Sequence, residues 1–355
     1  MAADDGFAHT VNREAEKGRM EFYGRANEQH LTPLWRVMSK LVLDYPQSPC
    51  VPAIWKWSEV RPYLMEACQI ITAAEAERRV LVLENPGMPG ESRITRSLFA
   101  GMQIILPGEI APAHRHVASA LRFVIEGKDA YTAVSGERTF MSPGDFVITP
   151  SWTWHDHGNL SKEPMVWLDG LDMHLVNLMD AGFREGYPDK THPVTRPEGA
   201  ADAEFAYNLL PVDYEPESKT TPIFNYPYAR SREALERLKR FHPLDPYFGH
   251  KMKFINPIDG GWAMPTISTW MQLLPKGFKS QPYRSTDGIV FVCVEGSGKT
   301  TINGQVFEWG PHDVFTAPAW LFYEHEASSD AVLFSYSDRV AQEKLDFFRE
   351  QRGNA

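Results

Sequence analysis

The chain has 355 residues, enough to bury one large or two medium hydrophobic cores. It carries 46 acidic and 36 basic side chains, and the resulting net charge of −10 argues against a nucleic-acid partner. No stretch approaches the roughly 20 consecutive apolar residues of a membrane helix.

Two features of the sequence bear on the compartment. The opening residues, MAADDGFAHT, lack the basic and apolar regions of a secretion signal. The cysteines Cys50, Cys68 and Cys293 are odd in number and widely spaced, which favours free thiols in a reducing compartment. We therefore expect a cytoplasmic protein.

Residues 1–75 are predicted to form a mainly helical N-terminal region. Within it, Leu34, Met38, Leu41 and Val42 recur at helical spacing, and we expect this apolar stripe to pack into a core. The pattern changes near residue 76, where short apolar runs are broken by Gly, Pro and Asn-Pro turns, as is typical of strands.

The strand-rich segment 76–175 contains three histidines in a frame of glycines and prolines. In order, the frame consists of Gly108, His114-Arg115-His116, Gly127, Gly144, Pro150-Ser151-Trp152, His155 and Asn159. This spacing is close to the two-part motif of the cupin β-barrel, G-x5-H-x-H-x3,4-E-x6-G followed by G-x5-P-x-G-x2-H-x3-N. The informative departure is Ala120, which stands where the motif usually carries a glutamate ligand.

The three histidines predict a metal site. Residues two apart on a strand share a face, so His114 and His116 point the same way. His155 arrives from another strand, brought back by the turn residues Gly144 and Pro150. Three neutral imidazoles from two strands occupy one side of a metal and leave the other side open, as in catalytic sites.

The same alternation assigns further side chains to the pocket. Phe99, Gly101 and Gln103 share one face of their strand, and the Gln103 amide either binds a ligand or pairs with protein or solvent. Arg122 shares parity with His114 and needs an anion, which is either a substrate carboxylate or a structural salt bridge.

Two residues further along the chain could bind the substrate or support the histidine ligands. His157 has the parity of His155, so it either donates to a substrate or remains behind the ligands. Asp169 is either the partner that orients His157 or a turn residue before Gly170.

Residues 176–255, rich in proline, aromatics and charge, are interpreted as an inter-barrel connection. Within this connection, residues 231–241 read as a short charged helix that Ser231 would cap. A C-terminal helix over 339–355 is indicated by the apolar pair Leu345 and Phe348.

The segment 256–338 repeats the frame of the first barrel, as expected of a duplicated unit. The repeat consists of Gly277, Tyr283-Arg284-Ser285, Gly296, Gly310, Pro318-Ala319-Trp320 and Tyr323, and His325 matches His157. Tyr283, Ser285 and Tyr323 thus replace the three histidines. Because the ordinary pKa of tyrosine is about 10, these are poor ligands at neutral pH, and we expect no metal in the second barrel.

A chain with two such barrels and one complete ligand set resembles the gentisate 1,2-dioxygenase family, which includes salicylate and 1-hydroxy-2-naphthoate dioxygenases. The resemblance is carried by residues 77–87 (ERRVLVLENPG), 98–127 and 144–159 (GDFVITPSWTWHDHGN). It implies a mainly β bicupin fold with an N-terminal helical region, Fe(II) as cofactor, O2 as co-substrate and a homotetramer.

The resemblance also implies roles for individual residues. It places Arg78, Gln103, Arg122, His157 and Asp169 around the substrate, the last three with catalytic roles. Only the resemblance selects Arg78 over its neighbour Arg79. At Phe99 many relatives have tryptophan, and Gly101 beside it is as small as a residue can be, so both leave the ring substituents open.

The implied reaction is ring opening at Fe(II). A 2-hydroxy aromatic acid chelates the metal, its C1–C2 bond is cleaved with O2, and gentisate gives maleylpyruvate. Three alternatives remain: the same chemistry on salicylate, a substituted salicylate or 1-hydroxy-2-naphthoate; a zinc or manganese hydrolase or isomerase; and a non-catalytic ligand-binding bicupin, against which the intact first ligand set argues.

Overall fold

The computed structural model describes residues 5–353, with side-chain environments from residue 13 onward. The chain forms two compact units, Met1–Gln47 and Ser48–Ala355. The first unit contains two helices, α1 (Asp5–Glu28) and α2 (Leu34–Leu41). Within residues 5–353, no helix combines the length and the apolar character that crossing a membrane requires.

The apolar stripe of α2 is exposed rather than buried. Leu34 and Met38 are 50 % and 45 % exposed, and Leu41 and Val42 are each 66 % exposed. The prediction that this stripe packs into a core is therefore wrong for the described chain. A unit of two helices has too little apolar surface to enclose a core of its own. The spacing therefore predicted the helix correctly but not the burial of its apolar face.

The second unit begins with β1 (Ala53–Trp55), α3 (Trp57–Ile70) and α4 (Ala73–Ala76). The first barrel follows, with β2 (Arg79–Val82), β3 (Phe99–Ile105), β4 (Ile110–His116), β5 (Ala120–Glu126), β6 (Ala130–Val134), β7 (Glu137–Met141), β8 (Phe146–Thr149), β9 (His155–Asn159) and β10 (Met165–Leu171). The connection contains α5 (Met173–Leu178), β11 (Arg184–Gly186), α6 (Ala200–Phe205), β12 (Asn225–Tyr226), α7 (Tyr228–Phe241) and β13 (His250–Lys253). The second barrel comprises β14 (Ser268–Leu274), β15 (Tyr283–Ser285), β16 (Ile289–Glu295), β17 (Gly298–Ile302), β18 (Gln305–Trp309), β19 (Val314–Ala317), β20 (Tyr323–Ala327) and β21 (Ala331–Ser337), followed by α8 (Arg339–Lys344) and β22 (Glu350–Arg352).

Each barrel consists of two antiparallel sheets. In the first, a six-stranded sheet has the order β12-β8-β5-β10-β3-β2 and a five-stranded sheet the order β11-β4-β9-β6-β7. The second repeats this with β1-β19-β16-β21-β14-β13 and β18-β17-β20-β15-β22. This is the expected mainly β bicupin fold, in which β4 and β9, the strands that carry the three histidines, are direct neighbours.

The two barrels pack through their six-stranded sheets. One face of β5 and β10 meets one face of β16 and β21 in a single apolar cluster. At its centre the rings of Phe123 and Phe334 are stacked, with centroids 4.2 Å apart. Because strand residues alternate in direction, the opposite face of β5 and β10 is left to line the interior of the first barrel.

Three short strands come from outside the segments assigned to the barrels. β1 pairs with β19, β13 pairs with β14, and β22 pairs with β15, so the second barrel draws on chain before residue 256 and after residue 338. The predicted C-terminal helix over 339–355 is wrong beyond Lys344, because the chain continues into β22 and Phe348 lies outside the helix.

The helix predicted over 231–241 begins one turn earlier, at Tyr228. Ser231 does not cap it, since it lies inside the first turn and its hydroxyl donates to the carbonyl oxygen of Pro227 at 3.3 Å. The free amide of Tyr228 instead donates to the Asp145 carboxylate at 2.8 Å. A distant carboxylate thus satisfies the helix terminus, which a local capping rule cannot detect.

Candidate metal centre and its pocket

Three imidazoles converge where β4 and β9 lie side by side. The ring centroids of His114 and His155 are 4.2 Å apart, those of His116 and His155 are 4.9 Å apart, and those of His114 and His116 are 5.1 Å apart. One nitrogen from each ring lies within 4.8 Å of the others. Among the described residues, this is the one group of three or more His, Cys, Asp or Glu side chains with that geometry.

Each ring is held by a backbone carbonyl oxygen two residues away. The acceptors are the carbonyl oxygens of Pro112, Ala118 and Thr153, at 3.2, 2.6 and 2.8 Å from Nδ1 of His114, His116 and His155 respectively. Because a carbonyl oxygen only accepts, we assign the ring hydrogen of His116 and His155 to Nδ1, which leaves the Nε2 lone pair free. Nδ1 of His114 also lies 2.7 Å from Nη2 of Arg78, a donor that competes for the same nitrogen.

The free lone pairs fit a divalent metal. The Nε2 atom of His155 is buried and has no hydrogen-bond partner among the described residues. A buried polar atom without a partner needs an explanation, and a metal shared by three converging imidazoles supplies one here. Carbonyl-anchored imidazoles that present Nε2 are the usual arrangement of histidine metal ligands.

The site keeps its imidazoles neutral. Burial, helped by the nearby Arg78 guanidinium, lowers the pKa of His114 to about 2. Burial also lowers the pKa of His116 to about 4 and that of His155 well below its ordinary value. Metal binding requires deprotonated imidazole, so the three side chains are in the competent form at neutral pH.

A cavity of about 420 Å³ opens onto the three histidines. Its lining is mostly apolar with a few convergent polar groups, and its volume lies in the usual range of small-molecule sites. Ala120 and Ala118 lie on the wall beside the histidines, so the position that carries glutamate in the motif offers no ligand here. A cavity of about 480 Å³ beside α6 and α7 is larger, but no metal-ligating cluster lines it among the described residues.

The structure distinguishes the two neighbouring arginines. Arg78 lines the pocket, with Nη2 2.8 Å from the carbonyl oxygen of Pro112 and 2.7 Å from Nδ1 of His114. Arg79 belongs to β2 and points away, forming a two-pronged pair with Glu109 in which both distances are 2.6 Å. Alternation along the chain thus sends one guanidinium to the pocket and the other to a structural ion pair.

Arg122 forms the structural ion pair that was one of the two interpretations, and it also lines the pocket, so the substrate role stays a prediction. It lines the pocket and is only 4 % exposed, and its Nε lies 3.5 Å from Oδ1 of Asp169. A second nitrogen, Nη1, donates to the Thr149 hydroxyl. The ion pair is too long for a hydrogen bond, and Nε has no hydrogen-bond partner among the described residues, so the guanidinium keeps donor capacity.

Asp169 does not orient His157, and that interpretation was wrong. Asp169 accepts a hydrogen bond from the Trp167 indole at 3.0 Å, and burial raises its pKa to about 6 against the opposing effect of Arg122. The partner of His157 is Thr132 on the neighbouring strand β6, whose hydroxyl lies 3.0 Å from Nδ1. A cross-strand hydroxyl is closer to this ring than a carboxylate of the opposite sheet.

His157 lies behind His155, with ring centroids 5.7 Å apart, and is not among the residues that line the cavity. It is 1 % exposed, and its Nε2 has no hydrogen-bond partner among the described residues. Burial, together with the positive charge of Arg122, lowers its pKa well below the ordinary value. His157 is therefore a neutral donor or acceptor.

Three residues of β3 shape the side of the pocket. Phe99 and Gln103 both line it, and Gln103 is 3 % exposed. Gly101 lies between them, and a Cβ added there would be 2.5 Å from Cγ1 of Val80 and 2.9 Å from the Phe99 ring. The absence of a side chain at Gly101 thus makes room for two neighbours that contact the pocket.

Sequence reasoning missed a wall of the pocket that comes from the connection. Met173, Val176 and Asn177 of α5 line the cavity, as do Phe183 and Arg184 at β11. A three-residue strand gives no local signal of its pairing. Thr132 was missed as well, although a signal existed: a threonine precedes the histidine by 25 residues in both copies, and Thr300 lies 2.8 Å from His325.

The second barrel brings the replacement residues to the equivalent place. The rings of Tyr283 and Tyr323 are 5.6 Å apart, and the Tyr283 hydroxyl donates to Glu350 at 2.7 Å. Burial raises the pKa of both phenols above the ordinary value. Protonated phenols are weak ligands for a divalent metal.

Comparisons with known proteins agree with this architecture. A family model described as a cupin domain matches residues 101–171. The chain is 57 % identical to gentisate 1,2 dioxygenase 1 of Aquipseudomonas alcaligenes, over 95 % of this chain and 97 % of the relative. It is 33 % identical to a 1-hydroxy-2-naphthoate 1,2-dioxygenase of Nocardioides sp., over 93 % of this chain and 87 % of the relative.

A solved structure shows the same fold along the full length of this chain. It is the salicylate 1,2-dioxygenase of Pseudoaminobacter salicylatoxidans, in an adduct with gentisate, which is 29 % identical and superposes with a TM-score of 0.89 over 100 % of this chain and 96 % of that one. The predicted resemblance and the bicupin fold are both confirmed. The chain belongs to the gentisate 1,2-dioxygenase family.

Proposed function

We propose that the protein is an Fe(II)-dependent dioxygenase that opens the C1–C2 bond of gentisate and yields maleylpyruvate. The observation that carries the proposal is the combination of three neutral imidazoles with two guanidinium groups in one pocket of about 420 Å³, which has room for a substituted aromatic ring. The relatives and the gentisate adduct of the solved salicylate dioxygenase support the choice of substrate.

His114, His116 and His155 would hold the iron. When bound, Fe(II) would supply a path for electrons from the chelated ring to O2, the co-substrate. Each imidazole is oriented by its carbonyl acceptor, so the chain contributes fixed neutral donors and leaves the pocket side of the site accessible.

The charge balance of the pocket favours a dianionic substrate. Three neutral ligands leave a divalent metal with its full charge, and Arg78 and Arg122 add two more positive charges beside it. The carboxylate among the lining residues, Asp169, is already engaged by Trp167 and lies near Arg122. A carboxylate with an ortho hydroxyl that ionises on binding matches this excess of positive charge.

Arg78 becomes available when the metal binds. A guanidinium only donates, so its 2.7 Å contact with His114 requires a lone pair on Nδ1. Metal binding through Nε2 requires the hydrogen on Nδ1, which then donates to Pro112. The two arrangements exclude each other, so with His114 in the tautomer that holds a metal, Arg78 would keep its contact with Pro112 and have one Nη2 hydrogen available for a substrate.

The remaining residues of the site would orient the ring and support the histidine ligands. Arg122 binds the substrate carboxylate, Asp169 holds Arg122 in place, and Gln103 offers an amide to a ring substituent. His157 is neutral and buried behind His155, so it would act from outside the cavity, by hydrogen bonding with Thr132 and by packing near the His155 ring. These assignments give a guanidinium and an amide for the substrate and one neutral imidazole that supports a histidine ligand.

The choice among ring substrates depends on β3. Phe99, together with the absence of a side chain at Gly101, would set the width of the pocket. Relatives of this chain are named for 5-aminosalicylate and for 1-hydroxy-2-naphthoate. Gentisate is proposed because the relative with 57 % identity carries that name. We further propose that the protein is a cytoplasmic homotetramer, on the basis of the family resemblance.

The test is anaerobic loading with Fe(II), followed by O2 uptake with gentisate, salicylate, substituted salicylates and 1-hydroxy-2-naphthoate. We expect rapid uptake with gentisate and slower uptake with the others. Faster turnover of salicylate or naphthoate would change the assigned substrate but keep the reaction. Absence of O2 uptake with every acid, together with hydrolase or isomerase activity after Zn(II) loading, would refute the proposed reaction.

A further inference from the structure

Arg115 stands between His114 and His116 in sequence and therefore points to the opposite face of β4. There its guanidinium lies between two indole rings, 4.4 Å from the centroid of Trp152 and 4.6 Å from that of Trp154. Trp154 immediately precedes the third histidine, His155. The Arg115 guanidinium thus links β4, which carries His114 and His116, to Trp154, which directly precedes His155 at the start of β9.

The same arginine is tied to β11. The Glu185 carboxylate accepts from Nε of Arg115 at 2.8 Å and lies 2.6 Å from Nη2. On either side of Glu185, Phe183 packs on Trp152 with centroids 4.3 Å apart, and Tyr187 packs on Trp154 at 5.0 Å. We call Arg115, Trp152, Trp154 and Glu185 the arginine cage. It connects β4, the turn before β9 and the pocket wall that carries Phe183.

The turn that supplies Trp152 is held in an unfavourable backbone conformation. Trp152 has φ of 59°, in the left-handed region that bulky residues avoid. Its amide donates to the carbonyl oxygen of His116 at 2.8 Å. Strained conformations persist where the surroundings overdetermine them, and the stacked Arg115 is such a surrounding.

The second barrel contains the same device without the ligand set. Arg284 lies 4.5 Å from the Trp320 ring and 4.4 Å from the Phe322 ring, and its Nε donates to Gln351 of β22 at 2.8 Å. Trp320 has φ of 64°, and its amide donates to the carbonyl oxygen of Ser285 at 2.7 Å. The duplicated cage therefore offers a matched control inside the same chain.

We propose that Arg115 is a positioning residue that sets the spacing of the three histidines and of the pocket wall through the arginine cage. The inference rests on the proposed metal site. A metal needs all three Nε2 atoms at once, so a small shift of Trp154 and His155 relative to β4 weakens its binding. At Arg284 the same loss alters the fold locally but touches no ligand.

The experiment titrates the full-length apoprotein with Fe(II) anaerobically, and with Co(II) while recording its visible spectrum. The variants are Arg115→Met and its counterpart Arg284→Met, each compared with the wild type in thermal unfolding. Removal of a group that orients metal ligands typically weakens metal binding about 10- to 100-fold, and we expect this for Arg115→Met. Arg284→Met should bind within about twofold of the wild type, because distant sites act independently.

Two further variants sharpen the comparison. Arg115→Lys should recover part of the affinity, since a lysine keeps the charge but not the stacked plane. If Arg115→Met proves insoluble, Trp154→Leu and its counterpart Phe322→Leu make the same comparison. A changed Co(II) spectrum in the first-barrel variants alone would support the positioning role.

The outcomes separate this inference from the proposed function. If the wild type binds no Fe(II), the metal site itself fails. If the wild type binds Fe(II) and Arg115→Met binds it equally well, or if Arg284→Met weakens binding to the same degree, the positioning role is overturned while the metal site stands.

Discussion

Replacement of Arg122 by methionine is the most informative perturbation of the pocket. The side chain is 4 % exposed, lies 3.5 Å from Asp169 and donates to Thr149. Methionine keeps much of the apolar stem but removes the guanidinium that we assign to the substrate carboxylate. Because arginine is not a metal ligand, we expect iron content near one per chain in this variant.

The expected loss can be worked from the contacts. Removing one partner of a buried charge pair costs about 3–5 kcal/mol where the other charge is left buried. The lower end applies, since Arg78 also lines the pocket and remains to share the substrate carboxylate. About 3 kcal/mol corresponds to a decrease of roughly two orders of magnitude in kcat/KM for gentisate.

The assay is steady-state O2 uptake with gentisate, with iron measured on the same samples. Arg79→Met is the matched control, since Arg79 is buried but pairs with Glu109 away from the pocket, and it should lower stability with little change in kcat/KM. The double variant Arg122→Met/Asp169→Asn should regain stability but not kcat/KM, because the substrate carboxylate still lacks its Arg122 partner. Normal turnover by iron-loaded Arg122→Met would refute the assignment.

Three other perturbations give distinct signatures. His155→Ala should remove both iron and activity, whereas Tyr323→Phe, at the same position of the second barrel, should leave about one iron per chain by metal analysis; loss of iron in folded Tyr323→Phe would show the repeat alignment to be wrong. Gly101→Ala must displace Val80 and Phe99, so kcat/KM should fall more for 1-hydroxy-2-naphthoate than for gentisate, and an equal fall for both would contradict the shape argument. Burial raises the pKa of Asp172 to about 6, above its unfolded value near 4, so the folded state binds the proton more tightly. The free energy of unfolding should therefore fall by up to about 3 kcal/mol as the pH rises from about 4 to 6. Asp172→Asn should flatten that slope in chemical unfolding, and an unchanged slope would remove Asp172 as its source.

The metal site could be predicted because its signal is local. The spacing of His114, His116 and His155 relative to glycines and a proline defines two strands and one face, and strand alternation does the rest. The same alternation put Arg122 in the pocket. It could not choose between a substrate and a salt bridge, because that depends on how far Asp169 stands from it across two paired strands.

The errors of prediction come from contacts between distant parts of the chain. Periodicity identified the helix containing Leu34 and Met38 but carried no information about what covers its apolar stripe. Strands of three residues, such as β11 and β22, are defined by their partners rather than by their own sequence. The partner of His157 is likewise a cross-strand neighbour, Thr132. The one sequence signal for this pair is that the same threonine-to-histidine spacing recurs at Thr300 and His325 in the second copy.

The central claim is that this chain inserts both atoms of O2 into gentisate at a single iron. The most direct measurement is mass spectrometry of the ring-opened product after one turnover under 18O2, with anaerobically Fe(II)-loaded protein and His155→Ala as the control. We expect maleylpyruvate carrying two labelled atoms, after allowance for exchange of its carbonyl oxygen with water, and no product from the variant. A product with one labelled atom or none after that correction, or equal product formation by His155→Ala, would contradict it.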